Sequence, residues 1–229
     1  MQSHRISNLR EFIDWTESVQ MKSKVTIFRG QAIRGNLLPS IARKTPTYDS
    51  TQLERTMLDQ FKLKGASMLT NVEQSSLGLM VIAQHYGLKT RLLDWTSNPL
   101  AALYFACSDP LPGDTFVYAF GVDDFITQDA FSKDPFAAAK TRVFQPPYNN
   151  PRITAQHGWF TLHRYADKNK KFVALEKNTE AKKLLTELQI SEGDRLPILQ
   201  SLANHGIGSH TVFPDLAGLS QHLNAIHAV

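Results

Sequence analysis

Apolar and polar positions follow two rhythms along this chain, one of helices and one of strands. Leu9 to Val19 places Phe12, Trp15 and Val19 at helical spacing and predicts a short amphipathic helix. Val25-Thr26-Ile27-Phe28 is β-branched and aromatic, which predicts a strand that stops at Arg29-Gly30-Gln31. Leu37 to Ser40 is a loop. Thr51-Gln52-Leu53-Glu54 has the form of a capping box, followed by Leu53, Met57 and Phe61 on one helical face. A polar connection, Asn71 to Ser76, leads to a helix over Leu77–Tyr86 that Gly87 is placed to stop. Arg91-Leu92-Leu93 is a short strand delivering Asp94, Trp95 and Thr96 to a corner. There Ser97 or Thr96 can cap the next helix, and Pro99 suits its first turn. That helix, Leu100 to Cys107, is apolar almost all round and is expected to be buried.

The second half is less regular. Pro110 to Asp114 is a turn, and Thr115 to Phe120 is the clearest strand of the chain. Asp123 to Lys140 predicts irregular structure, and Gln145 to Pro151 a proline- and asparagine-rich loop. Trp159–His163 and Lys171–Leu175 predict two further strands, and Thr179–Leu188, Arg195–Asn204 and Pro214–Ile226 three helices. Strands and helices mix without strict βαβ alternation. The expected class is therefore α+β, a single compact domain over residues 1–229 with a small mixed or antiparallel sheet and flanking helices.

Composition narrows the function classes. A chain of 229 residues buries roughly 70–75% of its unfolded surface and needs no disulfide or metal staple. The net charge of +4 and pI near 9.1 suit a phosphate-bearing ligand, yet are small for a dedicated nucleic-acid binder. The one basic run, Lys168-Asn169-Lys170-Lys171, reads as a solvated turn. The lone Cys107 lies in the apolar helix and the chain starts on polar residues, which together predict a reducing cytoplasm and no membrane. There is no Cys-x-x-Cys or His-Glu-x-x-His for a metal. No Gly-x-Ser-x-Gly elbow and no P-loop is present either.

Three separated segments share a design in which a strand ends and polar groups sit beside a glycine or a helix start. They are Phe28-Arg29-Gly30-Gln31, Asp94 to Pro99, and Arg152 to Phe160 with Gln156, His157 and Gly158 between. Each has a structural and a functional meaning. Asp94 either caps the Pro99 helix or pairs with Arg91, or it supplies a carboxylate to a cleft. Arg29 either makes a buried ion pair with Glu54 or Asp94, or it clamps a phosphate with its planar fork. Trp95 and Tyr86 are core aromatics or stacking platforms. Together the segments predict one shared cleft.

These residues resemble the FRG domain family, whose name spells Phe28-Arg29-Gly30. The resemblance runs from about Val25 to about Leu223. It includes Ala83-Gln84-His85-Tyr86-Gly87-Leu88, Thr90 to Thr96, Asn98-Pro99, Ala102 to Ala106, Arg152-Ile153, Gln156, Gly158, Phe160 and Phe213 to Leu216. It implies a bacterial or fungal intracellular domain and supplies no reaction.

A second resemblance, to ADP-ribosyltransferases with the Arg/Ser-Thr-Ser/Glu pattern, implies a split-sheet core and NAD as substrate. In that family an arginine followed by glycine ends the first strand, as Arg29-Gly30 do here. Small hydroxyl residues end a second strand before a helix with alanine and phenylalanine, as in Leu93 to Ser97 and Ala101 to Phe105. A third motif carries a glutamate two residues after Gln or Glu, and here Gln156 is followed by His157 and Gly158. Asp94 or Glu176 would have to replace that glutamate.

The resemblance implies Arg29, Asp94, Thr96 and Gln156 as catalytic residues. The candidate binding residues are Arg29, Gly30, Gln31, Gln84, His85, Thr90, Arg91, Trp95, Gly158 and Phe160, with no metal expected. The function so implied is transfer of ADP-ribose to an acceptor macromolecule or hydrolysis of NAD, in a toxin-like or phage-defence effector. The alternative is a non-catalytic module binding a nucleotide or nucleic acid.

Overall fold

The computed structural model describes residues 2–69, 75–127, 129–148 and 150–227. β1 (Gln2–Ile6) leads into α1 (Leu9–Gln20), capped by Asn8, whose side chain accepts from the Glu11 amide. β2 (Thr26–Gln31), α2 (Thr51–Lys64), α3 (Ser76–His85), β3 (Leu92–Thr96), α4 (Pro99–Ser108) and β4 (Thr115–Gly121) follow. After two short 3-10 turns come β5 (Arg142–Phe144), α5 (Pro151–Ala155) and β6 (Gly158–Leu162). β7 (Tyr165–Ala166) and β8 (Lys171–Phe172) form a separate two-stranded sheet. α6 (Ala181–Leu184), β9 (Leu185–Ile190), α7 (Glu192–Asn204), α8 (Ser209–Val212) and α9 (Leu216–His227) complete the fold.

Among the described residues, the main sheet has seven strands in the order β1-β9-β4-β2-β3-β6-β5, parallel only between β1 and β9. The α+β class expected from the residue pattern is the class observed. Alternate residues of the strands feed two opposite cores. On one face, α1, α4 and α7 bury Phe12, Trp15, Ala102, Ala106, Ile198 and Leu202 against Phe28, Val117 and Leu188. On the other, Ile27, Trp95, Tyr118, Phe120 and Leu185 pack together. A third cluster joins Leu58 of α2 and Met80 and Val81 of α3 to Leu92, Phe160 and Leu162.

One seam of the sheet is unlike the others. Among the described residues, β2 pairs with β4 along its whole length, as β3 does with β6, but β2 and β3 pair only at Phe28 and Thr96. Because those strands are antiparallel, the sheet opens from that pair toward Gln31 on one side and Leu92 on the other. It is split into a β1-β9-β4-β2 half and a β3-β6-β5 half.

Several elements differ from expectation. β2 runs on through Arg29-Gly30-Gln31, because Tyr118, Val117 and Phe116 of β4 offer partners to all three. The capping box at Thr51 does not form. Ser50 takes the cap position without a side-chain bond, and Glu54 turns inward to Arg91. The cap of α4 is neither Thr96 nor Ser97 but Asn98, which accepts from the Leu100 and Ala101 amides. Arg152 stands on α5, capped by Asn150, and not at a strand end. Glu176 lies on a 3-10 turn, because the strand predicted over Lys171–Leu175 stops at Phe172. The helix predicted over Thr179–Leu188 is helical only over Ala181–Leu184 and then becomes β9. β1 was not foreseen in the polar N-terminal residues. The predicted connection at Asn71 lies, as far as residue 74, outside the described residues, as does Asn149 of the predicted loop.

Candidate functional site

The opening between the two half-sheets is a cavity of about 530 Å³, lined from both sides of the seam. Phe28 to Gln31 contribute from β2, Asp94 to Thr96 from β3, Gln84 and His85 from the end of α3, and Arg152 and Gln156 from α5 and its cap. The volume is in the range of small-molecule sites, roughly 300–1,000 Å³. A smaller pocket of about 60 Å³ shares Gln84, His85, Asp94 and Gln156 and adds Gly158 and Phe160. The three polar corners therefore converge on one cleft.

The tripeptide Phe28-Arg29-Gly30 divides its tasks by strand alternation. Phe28 points into the helix-covered core and is fully buried. Burying a Phe of this kind contributes about 1.5–3 kcal/mol. Gly30 faces the same way and lets β2 lie directly on α4: a Cβ there would come 1.8 Å from the Ala102 oxygen and 2.6 Å from the Ala106 nitrogen. Arg29, between them, points to the opposite face and into the seam. Its Nη1 donates to the Asp94 main-chain oxygen at 2.8 Å and its Nε to the Gln31 side chain at 3.0 Å. A side chain thus ties the half-sheets where no ladder pair exists. The Arg29 side chain is 15% exposed. Burial lowers its pKa to about 10, while Asp94 acts in the opposite sense. The guanidinium is cationic at neutral pH.

Asp94 is the exposed member of an otherwise buried β3, its side chain 64% exposed at the cleft. The Gln84 Nε2 donates to its Oδ1 at 2.7 Å, and the Thr90 hydroxyl in turn donates to the Gln84 amide oxygen. Its Oδ2 stands 3.9 Å from Arg29 Nη1. Asp94 does not pair with Arg91 and does not cap α4. Arg91 is buried, with its Nε on Glu54 Oε2 at 2.8 Å and its main-chain amide on Oε1 at 2.7 Å. Arg29 correspondingly has no contact with Glu54.

The other named residues divide between the cleft and the interior. Gln31 lines the cleft and braces its wall, donating to the Ile33 and Gly35 oxygens. His85 lines it too. Its imidazole is pushed below the ordinary value by burial and by the nearby Arg152, and so is neutral at pH 7. Thr96 reaches the cavity, but its hydroxyl donates to the Gln156 main-chain oxygen and accepts the Asn98 amide at 2.9 Å, so it fixes the corner. Gln156 donates to the Val212 oxygen at 3.2 Å. Trp95 turns its ring into the core, donating to Thr161 and packing on Phe120. Thr90 and Arg91 are buried and are not among the residues lining either pocket. Gly158 and Phe160 line only the smaller pocket.

Two anchoring carboxylates lie behind the cleft. Ser3, Glu187, Tyr118 and Arg29 stand in register across β1, β9, β4 and β2. Glu187 is fully buried and accepts from Arg34 at 2.8 Å and from the Tyr118 hydroxyl at 3.0 Å. That hydroxyl accepts the Gly35 amide at 2.5 Å. Glu176 accepts the Asn36 and Leu37 amides at 2.8 and 3.1 Å. The loop walling the cleft, with Gly35 and Asn36 both at positive φ, is thereby pinned from two sides. Glu176 is engaged in holding that loop and does not line the cavity. Sequence reasoning missed Glu187 because it placed that segment in a helix. The Glu187-x-Gln189 alternation beside Leu188 and Ile190 was the available signal.

Among the described residues, no group of three or more His, Cys, Asp or Glu side chains is placed to hold a metal, and no helix is long and apolar enough to cross a membrane. No curated protein and no solved structure matches the chain. The family model of the FRG domain matches residues 24–115. That segment carries both lips of the seam, Arg29 and Asp94, together with the α4 surface on which Gly30 rests. By that match this segment of the chain is similar to the FRG domain.

Proposed function

We propose that the split seam binds an NAD-type dinucleotide and cleaves its nicotinamide–ribose bond, passing ADP-ribose to an acceptor or to water. The observation that carries this reading is the pair at the lips of the seam: a half-buried cationic Arg29 and an exposed Asp94, 3.9 Å apart in one nucleotide-sized cavity. The arginine fork suits a diphosphate, which accepts two parallel charge-assisted bonds. When the bond from C1′ to the nicotinamide nitrogen breaks, the electron pair leaves with nicotinamide and the ribose becomes cationic. A fixed carboxylate beside it stabilises that charge. Gln84 holds one Asp94 oxygen, and the other stands 3.9 Å from Arg29 Nη1. The acceptor oxygen then bonds to C1′ and releases its proton.

The test follows nicotinamide release from NAD by the purified protein. Asp94→Asn is expected to lower the rate by about 10²–10³-fold, the usual loss when one preorganised electrostatic group is removed. Arg29→Lys keeps the charge, loses the fork and is expected to raise KM more than it lowers kcat. Release at equal rates from wild type and Asp94→Asn would remove Asp94 from the chemistry, and no release at all would remove the reaction.

One observation favours a second reading, binding without turnover. The position matching the ADP-ribosyltransferase glutamate is Gly158, where an added Cβ would pack 3.4 Å from Ile153. NAD-dependent protection from heat without nicotinamide release would select it.

A further inference from the structure

We propose that Arg43 is a second anion clamp of the cleft, which with Arg29 makes a subsite for the diphosphate of the ligand. This rests on the reading of the cavity as a dinucleotide site and deepens it, because the sequence pattern assigned no role to Arg43.

Four observations carry it. Arg43 lines the same cavity as Arg29. Among the described residues, no carboxylate lies within ion-pair distance of it, whereas Arg152, on the far wall, is neutralised by Asp215. The only hydrogen bond of the Arg43 side chain among the described residues runs from Nη2 to the Leu38 oxygen at 3.3 Å. A guanidinium has five donors, so most of the fork is available. Finally, the residue is anchored: Leu38 and Ala42 are buried against Phe172 and Ala174, and the Ala42 amide donates to the Pro39 oxygen at 3.0 Å.

Two guanidinium groups lining one cavity repel, and the Arg43 charge does act to weaken protonation of Arg29. Asp94 offsets part of that repulsion, at 3.9 Å from Arg29, but it does not reach Arg43. A diphosphate placed between the two forks would relieve the remainder, with each arginine taking one phosphate. A single phosphate or a neutral nucleoside would use only half of the arrangement.

The experiment measures binding of NAD, ADP-ribose, inorganic pyrophosphate and adenosine to wild type and to Arg43→Gln by calorimetry. Arg43 is exposed, and the variant is expected to melt with wild type. Arg43→Gln should weaken NAD, ADP-ribose and pyrophosphate by about tenfold to a hundredfold, as expected for losing hydrogen bonds to a charged group, and leave adenosine unchanged. If NAD binds both proteins equally, the clamp is overturned while the dinucleotide reading stands. If pyrophosphate binds in an Arg43-dependent way but NAD and ADP-ribose do not bind, the clamp stands and the dinucleotide reading fails. If wild type binds none of the four, both fail.

Discussion

Glu54→Ala is expected to be among the most destabilising single substitutions in this protein. Glu54 is fully buried and holds Arg91, itself 1% exposed, through both carboxylate oxygens. The Arg91 guanidinium also donates to Thr51 and lies 4.3 Å from the centre of the Phe136 ring. Removing the carboxylate leaves a buried cation and a buried amide without their partner, and such losses run to about 3–5 kcal/mol. For a chain of this length, about 2–4 °C of Tm follows each kcal/mol, so thermal denaturation should show a fall of roughly 6–20 °C. Replacing both partners, as Glu54→Leu with Arg91→Met, removes the stranded charge and should recover most of the loss. A Glu54→Ala variant melting within a degree or two of wild type would show that the pair does not hold α2 to the start of β3. The consequence reaches the cleft, since β3 carries Asp94 three residues beyond Arg91.

Gly30→Ala carries the second large effect. The added methyl would sit 1.8 Å from the Ala102 oxygen and 2.9 Å from the Ala102 carbonyl carbon, both main-chain atoms of α4. No rotamer relieves a clash with backbone, so α4 must move off β2. Overpacking of this kind costs about 1–3 kcal/mol, and this contact calls for the upper end. Tm should then fall by roughly 6–12 °C. Because Arg29 is the neighbouring residue, cleft function should fall further than stability explains. The Ala101, Ala102 and Ala106 series on α4 is the complement of this glycine: small residues on the helix permit the same close approach. An alanine variant with wild-type Tm would mean that β2 and α4 are not in direct contact.

The tripeptide Phe28-Arg29-Gly30 thus has a physical meaning at each position. The phenylalanine fills the core and the arginine bridges the split seam. The glycine allows a helix to lie flat on the strand.

How much of this was legible in the residues depended on whether local pattern and tertiary pairing agreed. β4 is buried along its whole length and read clearly as a strand. α4 read as a buried helix because it is apolar on every side, and Gly87 stops α3 at positive φ as its position suggested. β9 was missed because Ala181-Lys182-Lys183-Leu184-Leu185 is rich in helix formers. Pairing with β4 and β1 overrides that preference after one turn. β1 was missed because its sequence is polar: it lies at the sheet edge, where one side needs no apolar partner.

The site shows the same division. Arg29, Asp94, Gln84, His85 and Gln156 were marked by motif and corner, and they meet in one cavity. Thr90 and Arg91 sit in the same motif block and serve the interior. Nothing in a linear pattern distinguishes an arginine that faces a cleft from one that faces a buried glutamate 37 positions away. Arg43 was silent for the converse reason. It stands in a loop beside Lys44, where a basic residue carries no periodicity and only the folding of residues 37–43 against the β7–β8 hairpin brings it to the cleft.

The most direct measurement for the central claim is a crystal of the protein soaked with NAD. The account predicts density across the seam between β2 and β3, with the diphosphate against Arg29 and a ribose beside Asp94. An empty seam in a crystal whose cleft is open to solvent, at NAD concentrations well above any useful affinity, would contradict it.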